Sequence, residues 1–171
     1  MLLCLLLFPL LSYLSTNLLG RYIGILGSCI LASFSIFMSF ILSIITFYEC
    51  TITDSVCTIF LNTWINTELF IANWCFYFDP LSTTMLLVVT GVSSLVHLYS
   101  TEYMSNDPHQ GRFMGYLSLF TFFMLILVTA DNFLIMFLGW EGIGLASFLL
   151  ISFWTNRIQA GKSAIKAMLV N

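Results

Sequence analysis

The 171-residue chain is 60% hydrophobic and only 8% charged, with a mean hydropathy of +1.01; this excludes a water-soluble domain of its size and makes it a polytopic membrane protein. Its net charge of -3 at pH 7 arises from 5 basic and 8 acidic residues, and five scattered cations form no patch for nucleic acid.

In chain order, Met1 to Gly20 and Tyr22 to Tyr48 are free of charge, with Arg21 and the Gly24 to Gly27 stretch between them, and they predict two spanning helices in region 1–48. The opening has neither the basic n-region and cleavage pattern of a secretory signal nor the Arg-rich character of a transit peptide. For a mitochondrial protein that implies synthesis inside the organelle. Region 49–78 is rich in Thr, Asn, Trp and β-branched residues, and alternates Trp74, Phe76 and Phe78 against Asn73, Cys75 and Tyr77; it predicts an external loop with a β-hairpin.

Region 79–171 carries the remaining helices. Asp79-Pro80 predicts the start of a third helix, with Asp as N-cap and Pro at the first helical position, running to about Thr101. His97 lies about one turn from its far end, and on residue chemistry alone reads as a hydrogen-bonded packing residue in preference to a proton carrier. Asp107-Pro108 repeats the same device before a fourth helix, Arg112 to Val128, and STEYMSNDPHQG is a polar turn between the two. Asp131 is the expected cap of the fifth helix.

That fifth helix, within DNFLIMFLGWEGIGLASFLLISFW, puts Glu141 at mid-membrane depth, where an ionised acid costs at least ~2.5 to 3.5 kcal/mol. It should therefore face protein or water, have a partner, or carry a proton. One reading makes it half of a structural ion pair; the other, favoured here, makes it a group that takes up and releases protons. Gly139, Gly142, Gly144 and Ala146 predict a face on which a neighbouring helix packs closely. If Gly142, Ala146 and the charge are exposed, the polypeptide should be unstable alone. Beyond Trp154, a polar link with Asn156, Arg157, Gln159 and Lys162 precedes SAIKAMLVN, the start of a sixth helix.

Five alternating helices put Arg21, Arg112, Arg157, Lys162 and Lys166 on one side of the membrane and Glu49, Asp54, Glu68, Asp79 and Asp131 on the other. By the positive-inside rule the basic side is cytoplasm or matrix and the N-terminus lies outside. Cys4 and Cys29 are small packing residues; Cys50, Cys57 and Cys75 leave a disulfide open but match no metal pattern. No nucleotide, flavin, haem or iron–sulfur motif is present, so any redox chemistry resides in other chains.

Three stretches, FDPLSTTMLLVVTGVSSLVHLYSTEYMSNDPH, GRFMGYLSLFTFFMLILVTADNFLIMFLGWEGIGLASFLLISFW and RIQAGKSAIKAMLVN, closely resemble the subunit 5 family of mitochondrial NADH:ubiquinone oxidoreductase, respiratory complex I, which is itself similar to cation/proton antiporter subunits. The residues themselves predict an all-α membrane protein of about five transmembrane helices plus the start of a sixth, with a β-hairpin-like loop between helices two and three. The resemblance implies a proton-translocating subunit of the membrane arm in the mitochondrial inner membrane, holding no cofactor; FMN, iron–sulfur clusters and ubiquinone would belong to other subunits. Glu141 matches the family's acid of the fifth helix, which is held to couple with a lysine two helices later. His97 and Asp131 match recurrent family positions, and Lys166 lies near the matrix end of the sixth helix. Family members are much longer, so the expectation is one piece of a split or incomplete subunit whose partners are a C-terminal piece, the adjacent antiporter-like subunit and the lipid bilayer. A non-pumping remnant of the arm and a cation/proton antiporter subunit are the alternatives.

Overall fold

The computed structural model describes residues 1–53, 55–68, 70–154 and 157–171; Asp54 and Asn156, counted above among the outer acids and in the polar link, lie outside the described residues. The elements are α1 (Leu2–Leu18), α2 (Gly20–Phe47), β1 (Cys57–Asn66), β2 (Ile71–Phe78), α3 (Pro80–Tyr103), α4 (Gln110–Val128), α5 (Phe133–Ile151) and α6 (Ile158–Val170). Among the described residues, four helices are long and apolar enough to cross a membrane: α2 with its extension to Ile52, α3, α4 and α5. At 17 residues α1 is a shorter apolar helix.

Two features of α2 depart from a plain span. Gly24 has φ 77° and ψ 174°, a backbone conformation closed to most L side chains, so the first turn is set off from the long helix that follows. At the other end a π-helical turn, Tyr48–Ile52, continues the helix, so Glu49 and Cys50 belong to it and not to the expected loop. Packing explains the extension: Cys50 is 1% exposed and sits in a cluster with Leu5, Leu6, Phe76, Phe78 and Leu86.

Pro9 lies inside α1 without ending it. Its ring has no N–H, which leaves the Leu5 carbonyl without its usual partner. The fully buried Ser39 hydroxyl of α2 shares its proton between that carbonyl at 3.3 Å and the Ser35 carbonyl at 3.2 Å. A neighbouring helix's side chain thus offers the buried carbonyl a partner.

The centre of the bundle is α4, which packs against α1, α2, α3 and α5, while α6 lies against α5. Hydroxyls bridge the helices: Ser43 to Thr90 at 2.8 Å between α2 and α3, Ser12 to Ser118 at 3.2 Å between α1 and α4, and Ser93 to Thr121 at 3.3 Å between α3 and α4. Such bonds contribute about 0.6 kcal/mol each on average in a membrane, and small residues let the helices approach closely enough to form them.

The antiparallel hairpin closes one end of the bundle. Its register pairs Cys57 with Phe78 and Cys75 with Phe60, so the two cysteines are not opposite one another; Cys50, Cys57 and Cys75 are all free thiols. The Tyr77 N–H donates to the Thr129 carbonyl at 2.9 Å, and Phe76 forms a bridge with Ala130, which ties β2 to the α4–α5 turn.

Helix starts show which capping expectations hold. At α3, Asp79 accepts from the Ser82 N–H at 2.6 Å while the Ser82 hydroxyl accepts from the Asp79 N–H at 2.9 Å, a reciprocal capping box. Asp107 does not cap α4. It accepts from the His109 N–H at 2.9 Å and from the Trp154 indole at 3.1 Å, closing a turn before a helix that begins at Gln110. Nor does Asp131 cap α5; the neighbouring Asn132 accepts from the Ile135 N–H at 3.0 Å and donates to the Asn73 carbonyl at 2.8 Å. An amide can hold the helix and the hairpin at once, whereas a carboxylate has no proton for the second bond.

Candidate functional site

The two faces of α5 differ in what they meet. Ile135, Gly139, Gly142 and Ala146, spaced four, three and four apart, are buried and form one stripe. A Cβ at Gly139 would come within 2.8 Å of the Leu127 backbone nitrogen, and one at Gly142 would overlap the Phe123 ring. Both glycines are therefore required by the close approach of α4. The expected packing face is present, and its partner is a helix of the same chain. Gly142 and Ala146 are consequently not exposed, which corrects the idea that they wait for another polypeptide.

Glu141 is different. One residue is about 100° of helix, so Glu141 is turned away from the stripe that Gly142 joins. It is exposed, with Trp140 and Leu145 also about half exposed beside it. A carboxylate at the middle of an apolar helix therefore stands on a flank that α4 does not cover. Among the described residues no lysine or arginine nitrogen lies within 4.0 Å of it.

On α6, Lys166 is exposed, and that helix runs back along α5 so that Asn171 reaches its middle. The Asn171 amide donates to the Trp140 carbonyl at 3.5 Å, and its side chain occupies the space that a Cβ at Gly144 would need. Lys166 and Glu141 thus share the α5–α6 unit without forming an ion pair.

His97 occupies the opposite kind of environment. It is 1% exposed, enclosed by α3 and α4. Its Nδ1 lies 2.8 Å from the Ser93 carbonyl, which can only accept, so this nitrogen carries the proton. Nε2 lies 3.3 Å from the Ser118 hydroxyl, which in turn is 3.2 Å from that of Ser12. Nε2 can accept from the Ser118 hydroxyl, whose single proton is shared with the Met114 carbonyl at 3.0 Å, while Ser118 accepts from Ser12. His97 and Glu141 are not brought together.

The hydroxyl partners were not singled out from the sequence, although a signal exists. Thr83, Thr90 and His97 recur every seven residues on α3, and Met114, Ser118, Thr121 and Leu125 follow helical spacing on α4, all of them buried. Against a background of leucine and phenylalanine, a polar stripe at that period marks the internal face of a membrane helix.

Asp131 is exposed at the hairpin, close to Cys75. Burial first, and then the nearby Asp131 charge, push the Cys75 thiol above its ordinary range. That makes Cys75 an unreactive packing group.

The family described as NADH-Ubiquinone oxidoreductase (complex I), chain 5 N-terminus, matches residues 64–114, which include β2, α3 and His97. The family described as NADH:quinone oxidoreductase/Mrp antiporter, TM, matches residues 130–171, which include Glu141 and Lys166. The chain is 54% identical over 171 residues to the NADH-ubiquinone oxidoreductase chain 5 of Phytophthora infestans, covering 100% of this chain and 26% of that relative. It is 58% identical over 163 residues to the Arabidopsis thaliana protein of the same name, covering 95% of this chain and 24% of the relative. With the Mycosarcoma maydis protein it shares 56% over 171 residues, or 100% and 25%. The chain thus spans about a quarter of the length of the curated relatives it matches.

Proposed function

The chain belongs to the NADH-ubiquinone oxidoreductase chain 5 family, and from that premise we propose that it forms part of a proton-translocating, antiporter-like unit in the membrane arm of respiratory complex I. Electrons would pass from NADH to ubiquinone through FMN and iron–sulfur clusters in other subunits, and this chain would take part in moving protons. The location is the mitochondrial inner membrane, with the basic helix ends toward the matrix and the hairpin and N-terminus toward the intermembrane space. The rest of the unit, supplied as a C-terminal piece, and the adjacent antiporter-like subunit are its partners.

One observation carries this reading: Glu141 stands at the middle of an apolar helix on the flank that α4 leaves open. Lipid solvates a carboxylate poorly, so the open flank calls for a neighbouring segment that brings a cation or water. A cation carried by that segment can pair with the carboxylate or, on moving away, leave it to bind a proton. Movement of the partner thereby loads and unloads Glu141. Lys166 adds positive charge toward the matrix end of the same helix pair. His97, neutral and enclosed by hydroxyls, holds α1, α3 and α4 in register.

The test is NADH-driven proton uptake into proteoliposomes by complex I carrying Glu141→Gln, which keeps the shape and hydrogen bonding of the side chain but cannot ionise. The expected result is an assembled complex that reduces quinone and moves fewer protons per electron. An unchanged ratio would make Glu141 a structural residue.

A further inference from the structure

A second polar feature lies at the basic end of the bundle, away from Glu141. Where α1 ends, α2 begins and α4 begins, a cleft of about 190 Å³ is lined by Asn17, Arg21, Ser28, His109 and Arg112, with Gly24 in its wall. Arg21 and Arg112 stand more than 80 residues apart in sequence yet face the same space. Among the described residues neither is paired with a carboxylate: the Arg112 guanidinium donates to the Tyr116 hydroxyl at 3.2 Å, and the nearby Asp107 accepts from the His109 N–H and the Trp154 indole. Glu102, on the same side, is exposed. The Asn17 amide nitrogen in the wall has no hydrogen-bond partner among the described residues.

The cleft is shaped by close packing. A Cβ at Gly111 would come within 2.8 Å of the Ser28 hydroxyl, and one at Gly115 within 2.8 Å of the Thr16 hydroxyl and 2.9 Å of the Asn17 amide nitrogen. These glycines draw α4 down onto α1 and α2 and leave the two arginines at the rim. Tyr22, Tyr103 and Trp154 are exposed at the same end, the position in which aromatic side chains sit at headgroup depth.

We propose that this cleft binds the phosphate of an anionic phospholipid, seated between Arg21 and Arg112. Guanidinium groups match phosphate oxygens with paired, charge-assisted N–H donors. Basic pockets between helices on the matrix or cytoplasmic side recognise anionic headgroups by the same chemistry. The α4 N-terminus opens at the same cleft, and its helix dipole adds positive potential there. The lipid would seal the joint of α1, α2 and α4 against water.

The test uses assembled complex I in bilayers containing trace photoactivatable phosphatidylglycerol or phosphatidylcholine, each with its diazirine next to the glycerol, and maps the cross-linked peptides. The phosphatidylglycerol probe should label the segments around residues 16–28 and 108–116 with an excess on the order of 10-fold over phosphatidylcholine. The Arg21→Gln/Arg112→Gln pair should bring the two probes level there and leave labelling elsewhere unchanged, while Arg112→Lys should keep most of the excess. If the double variant does not assemble, the wild-type comparison of the two probes decides. Equal labelling by the two probes, or none, overturns the proposal. So does loss of the excess on adding inorganic phosphate, which would mark a site for a free anion.

Discussion

The interior of the α1–α4 bundle and the outer flank of α5 handle polarity in opposite ways. Inside the bundle, His97 and the hydroxyls of Ser12, Ser93, Ser118 and Thr121 each lie 3.2 to 3.3 Å from a polar partner on another helix. On α5, the glycine stripe meets α4 as tightly as backbone allows, while Glu141 is left facing outward. Polar groups that serve packing are completed by the helices that own them. A charged group left incomplete in an otherwise tight bundle is one that another segment must complete, and that separates the framework from the working residue.

The most severe way to break this contrast is to fill the stripe. Gly142→Leu drives a side chain into the Phe123 ring from the middle of the α4–α5 contact, and overpacking of this kind costs typically about 1 to 3 kcal/mol or more. The assembled complex should fall to trace amounts on native gels, whereas Leu145→Ala on the open flank should leave assembly near normal.

Next in size is His97→Ala, which opens a cavity and strands the Ser93 carbonyl and the Ser118 hydroxyl. A loss of about 2 to 4 kcal/mol is expected, seen as a lower melting temperature of the purified complex. His97→Gln, which can still bond to Ser118, should recover part of it.

Much of this was legible in the sequence, and what was not has a common cause. The helices, the hairpin and the Asp79 cap follow from local rules, because apolar runs, period-2 alternation and an Asp-Pro start are properties of neighbouring residues. Asp107 and Asp131 illustrate where such rules end. Each stands where an N-cap would be expected, but Asp107 is drawn to Trp154, 47 residues away, and Asn132 displaces Asp131 because it also holds Asn73 on the hairpin. The side of α5 to which Glu141 points is equally nonlocal. Its neighbours Gly139 and Gly142 indicated a packed face correctly, but only the fold shows that the acid lies outside it.

A smaller effect sharpens the framework half of the contrast. Ser39→Ala removes the donor to the Leu5 carbonyl that Pro9 leaves unpaired, at a cost of about 1 kcal/mol. Pro9→Ala restores the helical N–H, so in the double variant the Ser39 substitution should cost almost nothing. A thermal-shift cycle on the four complexes measures that coupling, and additive costs would break the link between Pro9 and Ser39.

The contrast itself is tested most directly by measuring protons moved per electron for Glu141→Gln and His97→Gln complexes side by side in proteoliposomes, at matched quinone reduction. The account predicts a lowered ratio for Glu141→Gln and a wild-type ratio for His97→Gln, whatever the latter loses in yield. A wild-type ratio with Gln at position 141, or a lowered ratio with Gln at position 97, would contradict it.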